Sequence, residues 1–140
     1  VGVVQIHGNT MYPNYQDKEF YFVKKMGGIK RGDVVVYNNP KDQHLNIRRI
    51  IGLPEEAVER KNNKVYVNGK LLEENYLSSE VADFSGIKEE IRKAPEDKYF
   101  VLPDNREKKV NRDDFIFVDK QNIIGKIWYC YWNCKMKSRK

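Results

Sequence analysis

The sequence predicts a mostly β protein, a single domain with an inserted β subdomain and at most one or two short helices. Three observations carry this expectation. Val, Ile and 9 Tyr fill short runs along the 140 residues, and β-branched and aromatic side chains suit a pleated, half-buried surface. Gly, Asn and Pro separate those runs at hairpin-like intervals. With 40% hydrophobic and 33% charged residues, the chain has the balance of a globular domain rather than of a disordered one.

In order, Val1 to His7 reads as a strand running into a turn at Pro13-Asn14, where proline fixes φ. Glu19 to Lys25 is the next strand, ended by Gly27-Gly28, and a hairpin-like return leads through Lys30-Arg31-Gly32-Asp33 into Val34-Val35-Val36-Tyr37. Four consecutive β-formers predict burial on both faces. Leu45 to Leu53 follows as a strand, with Arg48 and Arg49 on opposite sides of it. From Glu55 the short β runs 58–61, 64–67 and 71–72 are divided by Asn62-Asn63 and Asn68-Gly69, a hairpin signal. Val81, Phe84, Ile87 and Ile91 recur at three or four residues and predict a short amphipathic helix between Ser78 and Lys93. Tyr99 to Leu102, Phe115 to Val118 and Ile123 to Trp132 complete the strands. The expected organisation is a β core of residues 1–54 and 99–134, an inserted hairpin or cap subdomain of 55–98, and a basic tail of 135–140.

A net charge of +6 attracts anionic lipid, acidic polymer or nucleic acid without choosing among them. No apolar run reaches the roughly 18 residues of a membrane helix. The sequence begins at Val1 inside strand-like sequence, which fits a preceding N-terminal segment such as an anchor. No metal-ligand spacing or cofactor motif is present, so no metal and no cofactor is expected. Cys130 and Cys134 are too few for a disulfide framework. On one continuous strand they stand about 13 Å apart, beyond disulfide reach. They read as thiols, with a local bridge across a turn as the alternative.

The chemistry-bearing stretch is Gly8-Asn9-Thr10-Met11-Tyr12-Pro13. It places a hydroxyl at a strand exit, where functional side chains are often exposed; the plainer reading is a β-forming residue beside a turn. Together with KRGDVVVY from Lys30, RRIIGLPEE from Arg48 and VLPDNREKKVNRDD from Val101, it resembles, in order and over nearly the whole chain, the boxes of the type I signal peptidase family. The resemblance implies a fold of two antiparallel β-sheet subdomains and a serine hydroxyl that attacks a signal peptide. It also implies a lysine, held neutral by burial, that takes the hydroxyl proton.

At the positions of that machinery this chain differs. The serine position is Thr10, which keeps a hydroxyl with a restricted rotamer. The lysine position is Arg48, whose guanidinium stays protonated and accepts nothing at neutral pH. In the late box Asp104, Asn105 and Arg106 match, whereas Pro103 replaces a glycine, Lys109 a supporting serine, and Asn111 and Asp113 the downstream acid and arginine. The family's Pro-Gly-Asp is Pro54-Glu55-Glu56. Asn9, Met11, Pro13 and Arg49 are expected to support the site. Arg48 is expected to pair with Asp113 or Asp104.

The resemblance implies a membrane-associated protein with its soluble domain on the extracytoplasmic side, held by an N-terminal anchor outside this sequence. Its partners would be pilin or another secreted pre-protein or peptide, in the manner of dyad-lacking relatives in Gram-positive pilus assembly. Met11, Tyr12 and Tyr15 are candidates for contact with the membrane surface, or else cover the core. One alternative is a signal peptidase that uses Thr10 as nucleophile and Lys109 as relocated base. His44 is a weaker candidate base, and with His7 it otherwise reads as polar surface. A second alternative, a nucleic-acid binder related to the self-cleaving repressors that share the fold, draws on the charge but finds no helix-turn-helix in the sequence.

Overall fold

The computed structural model describes residues 2–25, 27–62, 64–77, 90–106 and 116–135. Eleven strands occupy these segments: β1 Gly2–Gln5, β2 Phe20–Lys24, β3 Val34–Asn38, β4 Leu45–Gly52, β5 Ala57–Lys61, β6 Lys64–Val67, β7 Lys70–Leu71, β8 Glu90–Lys93, β9 Lys98–Leu102, β10 Ile116–Asp119 and β11 Ile123–Trp132. They form a seven-stranded sheet in the order β1-β2-β11-β3-β4-β9-β10 and a four-stranded sheet in the order β7-β6-β5-β8. Every pairing is antiparallel. The only helical element among the described residues is a 3-10 turn, Lys120–Asn122. The protein is a mostly β, two-sheet structure.

Local sequence explains most of these elements. Val34 to Tyr37 is buried at every position, because β3 lies in the middle of the large sheet with a core on each face. Val36 packs with Val4, Ile6, Tyr21 and Val23 on one side. Val35 and Tyr37 pack with Ile50, Tyr99, Val101 and Val118 on the other. A third cluster of Ile51, Val58, Val65, Phe100 and Leu102 joins the two sheets. Gly52 ends β4 where a Cβ would lie 2.6 Å from Val58 Cγ2 and 3.1 Å from Phe100 Cβ, so only glycine lets the small sheet approach. Asn68 and Gly69 turn β6 into β7 with φ of 50° and 85°, the left-handed pair a two-residue hairpin asks for.

Three expectations are corrected. β2 and β3 do not form a hairpin: β11 lies between them and pairs with both, because strand order depends on a pairing about one hundred residues away. Glu90–Lys93, expected to close a helix, is a strand paired with β5; the remainder of that helix, 78–89, lies outside the described residues. Cys130 and Cys134 are joined in a disulfide, with Cα atoms 6.0 Å apart. The strand ends at Trp132, and Asn133, at φ 59°, turns the chain back, so the 13 Å spacing of a continuous strand does not apply.

Candidate functional site

The loop after β1 is held from three sides. Ile6 and Lys18 continue the β1–β2 pairing beyond the strand ends, through Ile6 N to Glu19 O at 2.8 Å and Lys18 N to Ile6 O at 2.7 Å. Gly8, at φ 81°, leaves the strand and donates its N–H to Asp17 Oδ1 at 2.7 Å. The Tyr12–Pro13 peptide bond is cis. Met11 is 1% exposed, and its Sδ accepts from the Asp104 backbone N–H at 3.3 Å. Asn105 donates from its backbone to Thr10 O and from Nδ2 to Asn9 O, each at 2.9 Å. Thr10 is thereby left exposed, fixed by its own backbone.

Arg48 Nη1 donates to Thr10 Oγ1 at 3.3 Å and to Ile47 O at 2.7 Å. The expected pairing of Arg48 with Asp104 does not occur, because Asp104 is taken by the next residue. Arg49 Nε donates to Asp104 Oδ1 at 2.8 Å, Nη2 engages Asp104 Oδ2, and Nη1 donates to Gly32 O at 2.8 Å. Its guanidinium also lies 4.0 Å from the centre of the Tyr76 ring, a cation–π contact. Burial works to lower the Arg49 pKa, but the hydrogen bond and charge of Asp104 outweigh it and raise it. The alternation of a strand thus sends neighbouring guanidinium groups to different fates.

The Asp104 carboxylate is gripped again by Asn14 Nδ2 at 2.9 Å, and the same amide donates to Tyr76 O at 2.6 Å. Arg106, which is buried, donates from Nε to Pro103 O at 2.9 Å and from Nη1 to Glu74 Oε1 at 2.9 Å. Tyr76 donates its hydroxyl to Glu74 Oε2 at 2.7 Å. Burial first, and the Glu74 charge beside it, push that hydroxyl well above the ordinary tyrosine value. Asn14, Glu74 and Tyr76 are site-supporting residues that sequence reasoning missed. Asn14 read as a turn residue, and nothing local to Tyr76 signals its contact with Asn14, 62 residues back, or to Glu74 its contact with Arg106, 32 residues ahead.

On the outer side, Glu56 accepts from Leu53 N at 2.8 Å and from Arg31 Nη2 at 2.9 Å. Arg31 holds its carboxyl below the usual range, against a smaller opposing effect of burial. Glu55, where the resembling box has glycine, takes φ 72°. The turn geometry is therefore kept by a residue that is not glycine.

A groove of about 570 Å³ runs from Thr10 between β1 and the first half of β4, and Arg48, His7 and His44 all line it. Both histidines are exposed, as a polar surface position would be, and lie along this groove. Met11 is corrected as a membrane-contact candidate, because it lies in the core. Tyr12 is 50% exposed, and half-buried Tyr15 packs on Tyr21 at 5.0 Å between ring centroids. Lys109, Asn111 and Asp113 lie outside the described residues. Among the described residues no three His, Cys, Asp or Glu side chains converge as metal ligands, and no helix is long and apolar enough to cross a membrane.

The hydroxyl of Thr10 thus receives a hydrogen bond from a permanent cation. Among the described residues Arg48 is the side chain that hydrogen-bonds it. The arrangement is suited to presenting a rigid loop and a charged groove.

Known proteins resemble this chain across the same residues. The model of a family described as signal peptidase, peptidase S26, matches residues 1–132. Signal peptidase I P of Bacillus subtilis subsp. natto is 35% identical over 136 residues, covering 86% of this chain and 71% of that protein. Signal peptidase IB of Staphylococcus aureus is 33% identical over 145 residues, covering 91% of this chain and 75% of that protein. A crystal structure of a signal peptidase I from Enterococcus faecalis V583 aligns with a TM-score of 0.60 at 28% identity, covering 72% of this chain and 97% of that one.

Proposed function

Since the chain belongs to the signal peptidase family, peptidase S26, we propose that it is a member that binds extended peptides of secreted pre-proteins without cleaving them. Its partner in this reading is a pilin or another secreted subunit, and its role is that of an assembly chaperone or accessory factor. It works on the extracytoplasmic face of the membrane, held there by an anchor outside this sequence. Residues 1–54 and 99–134 form the unit that carries the site, and 55–98 form a cap on it.

One observation carries the loss of chemistry: Arg48 Nη1 donates to Thr10 Oγ1 at 3.3 Å. A nucleophilic hydroxyl needs an acceptor for its proton at hydrogen-bond distance. The guanidinium has five donors, no acceptor and a pKa above about 12. It holds an oxygen lone pair instead of removing the proton, and Thr10 marks the place of the nucleophile without being activated.

Binding has its own support. Among the described residues β1 pairs only with β2, and Leu45 to Arg48 of β4 pair with β3 while β9 joins β4 only from Arg49 onward. Two strand edges thus border the groove, and an extended peptide adds to such edges through main-chain hydrogen bonds.

The test is cleavage of a purified pre-protein followed by electrophoresis and mass spectrometry. The wild-type chain is expected to leave the substrate intact, and Thr10→Ser combined with Arg48→Lys to produce cleavage at the signal peptide. Wild-type cleavage that disappears in Thr10→Ala would overturn the reading. If Lys109→Ala also removed it, the enzyme would be a peptidase with a relocated base.

A further inference from the structure

The groove beside Thr10 has an unusual balance of charge. Arg48, His7 and His44 line it, and no Asp or Glu is among the described residues that line it. Three other arginines each have an acid of their own. Arg31 holds Glu56, Arg49 holds Asp104 and Arg106 holds Glu74. Arg48 differs from these three: among the described residues both of its hydrogen bonds go to neutral oxygens, Thr10 Oγ1 and Ile47 O. Both use Nη1, which leaves Nε and Nη2 of a five-donor fork without a described acceptor.

We propose that Arg48 makes this groove selective for an extended peptide that carries a side-chain carboxylate, with Arg48 as the specificity-determining contact. The inference rests on the peptide-binding reading above. A peptide laid between β1 and β4 covers a half-buried guanidinium and withdraws it from water. A neutral peptide leaves that charge uncompensated, which is costly, whereas a carboxylate meets it with short charge-assisted hydrogen bonds in the forked geometry that arginine favours. A lysine side chain at the same place adds a like charge to a lining whose described residues include no acid to offset it. His7, after β1, and His44, before β4, supply further N–H donors along the groove. The replacement of a proton acceptor by arginine thereby gives the site a preference as well as removing a reaction.

The experiment uses the 140-residue chain and fluorescent octapeptides, acetylated at the N-terminus and amidated at the C-terminus so that only side chains carry charge. One Glu is moved through the eight positions, with Gln and Lys series as controls, and affinity is read by anisotropy at 0.15 M salt. At one or two adjacent positions the Glu peptide is expected to bind at least tenfold more tightly than its Gln counterpart, and the Lys peptide most weakly. Arg48→Gln, checked for folding by its thermal transition, is expected to bring the Glu and Gln peptides to equal affinity, while Arg48→Lys retains part of the preference. Equal binding of all three series would overturn the inference and leave the peptide-binding reading standing. An acid preference that survives Arg48→Gln would overturn the role of Arg48. If no peptide binds, the peptide-binding reading fails and the selectivity fails with it.

Discussion

Arg48 and Arg49 are consecutive residues of one strand, and they divide the region around Thr10 into an open groove and a buried frame. In the frame, Arg49, Asp104, Asn14 and Tyr76 are joined by hydrogen bonds, and Arg106 and Glu74 continue the same network. In the groove, Arg48 reaches only neutral oxygens among the described residues. A buried charge must be balanced where it stands, so the frame admits little change. A groove open to water tolerates a cation that meets only neutral oxygens among the described residues. The shape of the loop and the chemistry at its tip therefore depend on separate sets of residues.

The largest expected effect breaks the frame. Asp104→Ala removes the counter-ion of Arg49 and one acceptor of Asn14. Stranding a buried charge typically costs about 3–5 kcal/mol, and the urea midpoint should fall accordingly with an unchanged slope. Arg48→Ala removes a charge from the groove and should cost less than about 1 kcal/mol. Equal losses in the two variants would erase the distinction between frame and groove.

A smaller effect is expected at the other end of the loop. The disulfide holds the turn from which Asn133 Nδ2 donates to Lys18 O at 3.1 Å and Lys135 N donates to Glu19 Oε2 at 2.7 Å. Glu19, fully buried, in turn accepts from Gln16 N at 2.8 Å and from Tyr21 OH at 3.0 Å. Closing a five-residue loop is worth about 2 kcal/mol by chain entropy. Cys130→Ser with Cys134→Ser should lower the thermal midpoint by roughly 6 °C and leave peptide affinity in the groove unchanged. A loss of affinity would show that the frame reaches the groove through this clamp.

What the sequence made legible is what neighbouring residues decide. Strand positions followed from β-branched runs and from turns such as Asn68-Gly69. Long-range choices were not legible. The place of β11 between β2 and β3 rests on pairings made at the far end of the chain. Tyr76 and Glu74 enter the frame only because the segment after β7 folds back over Asn14 and Arg106. The disulfide, which the sequence offered only as the alternative of a local bridge across a turn, depends on one residue at positive φ, Asn133, that converts an extended spacing into a bridgeable one.

The smallest effect sharpens the comparison at the rim, where a charge pair is neither buried nor alone. Arg31 and Glu56 have side-chain exposures of 33% and 18%, and Glu56 also closes the turn through Leu53 N. The hydrogen bond from Arg31 depresses the Glu56 carboxyl. A carboxyl whose pKa is lower folded than unfolded stabilises the fold above the unfolded value, and that contribution fades as pH falls through the folded one. Glu56→Gln should therefore cost at most about 1 kcal/mol near pH 7, since water screens a pair this exposed. The difference from wild type should shrink steadily as the pH is lowered from about 5 toward 3, in urea titrations at each pH. A difference that stayed constant across that range would assign the role of Glu56 to its neutral turn contact with Leu53, and would place the rim with the groove, as a surface whose charges are dispensable to the fold.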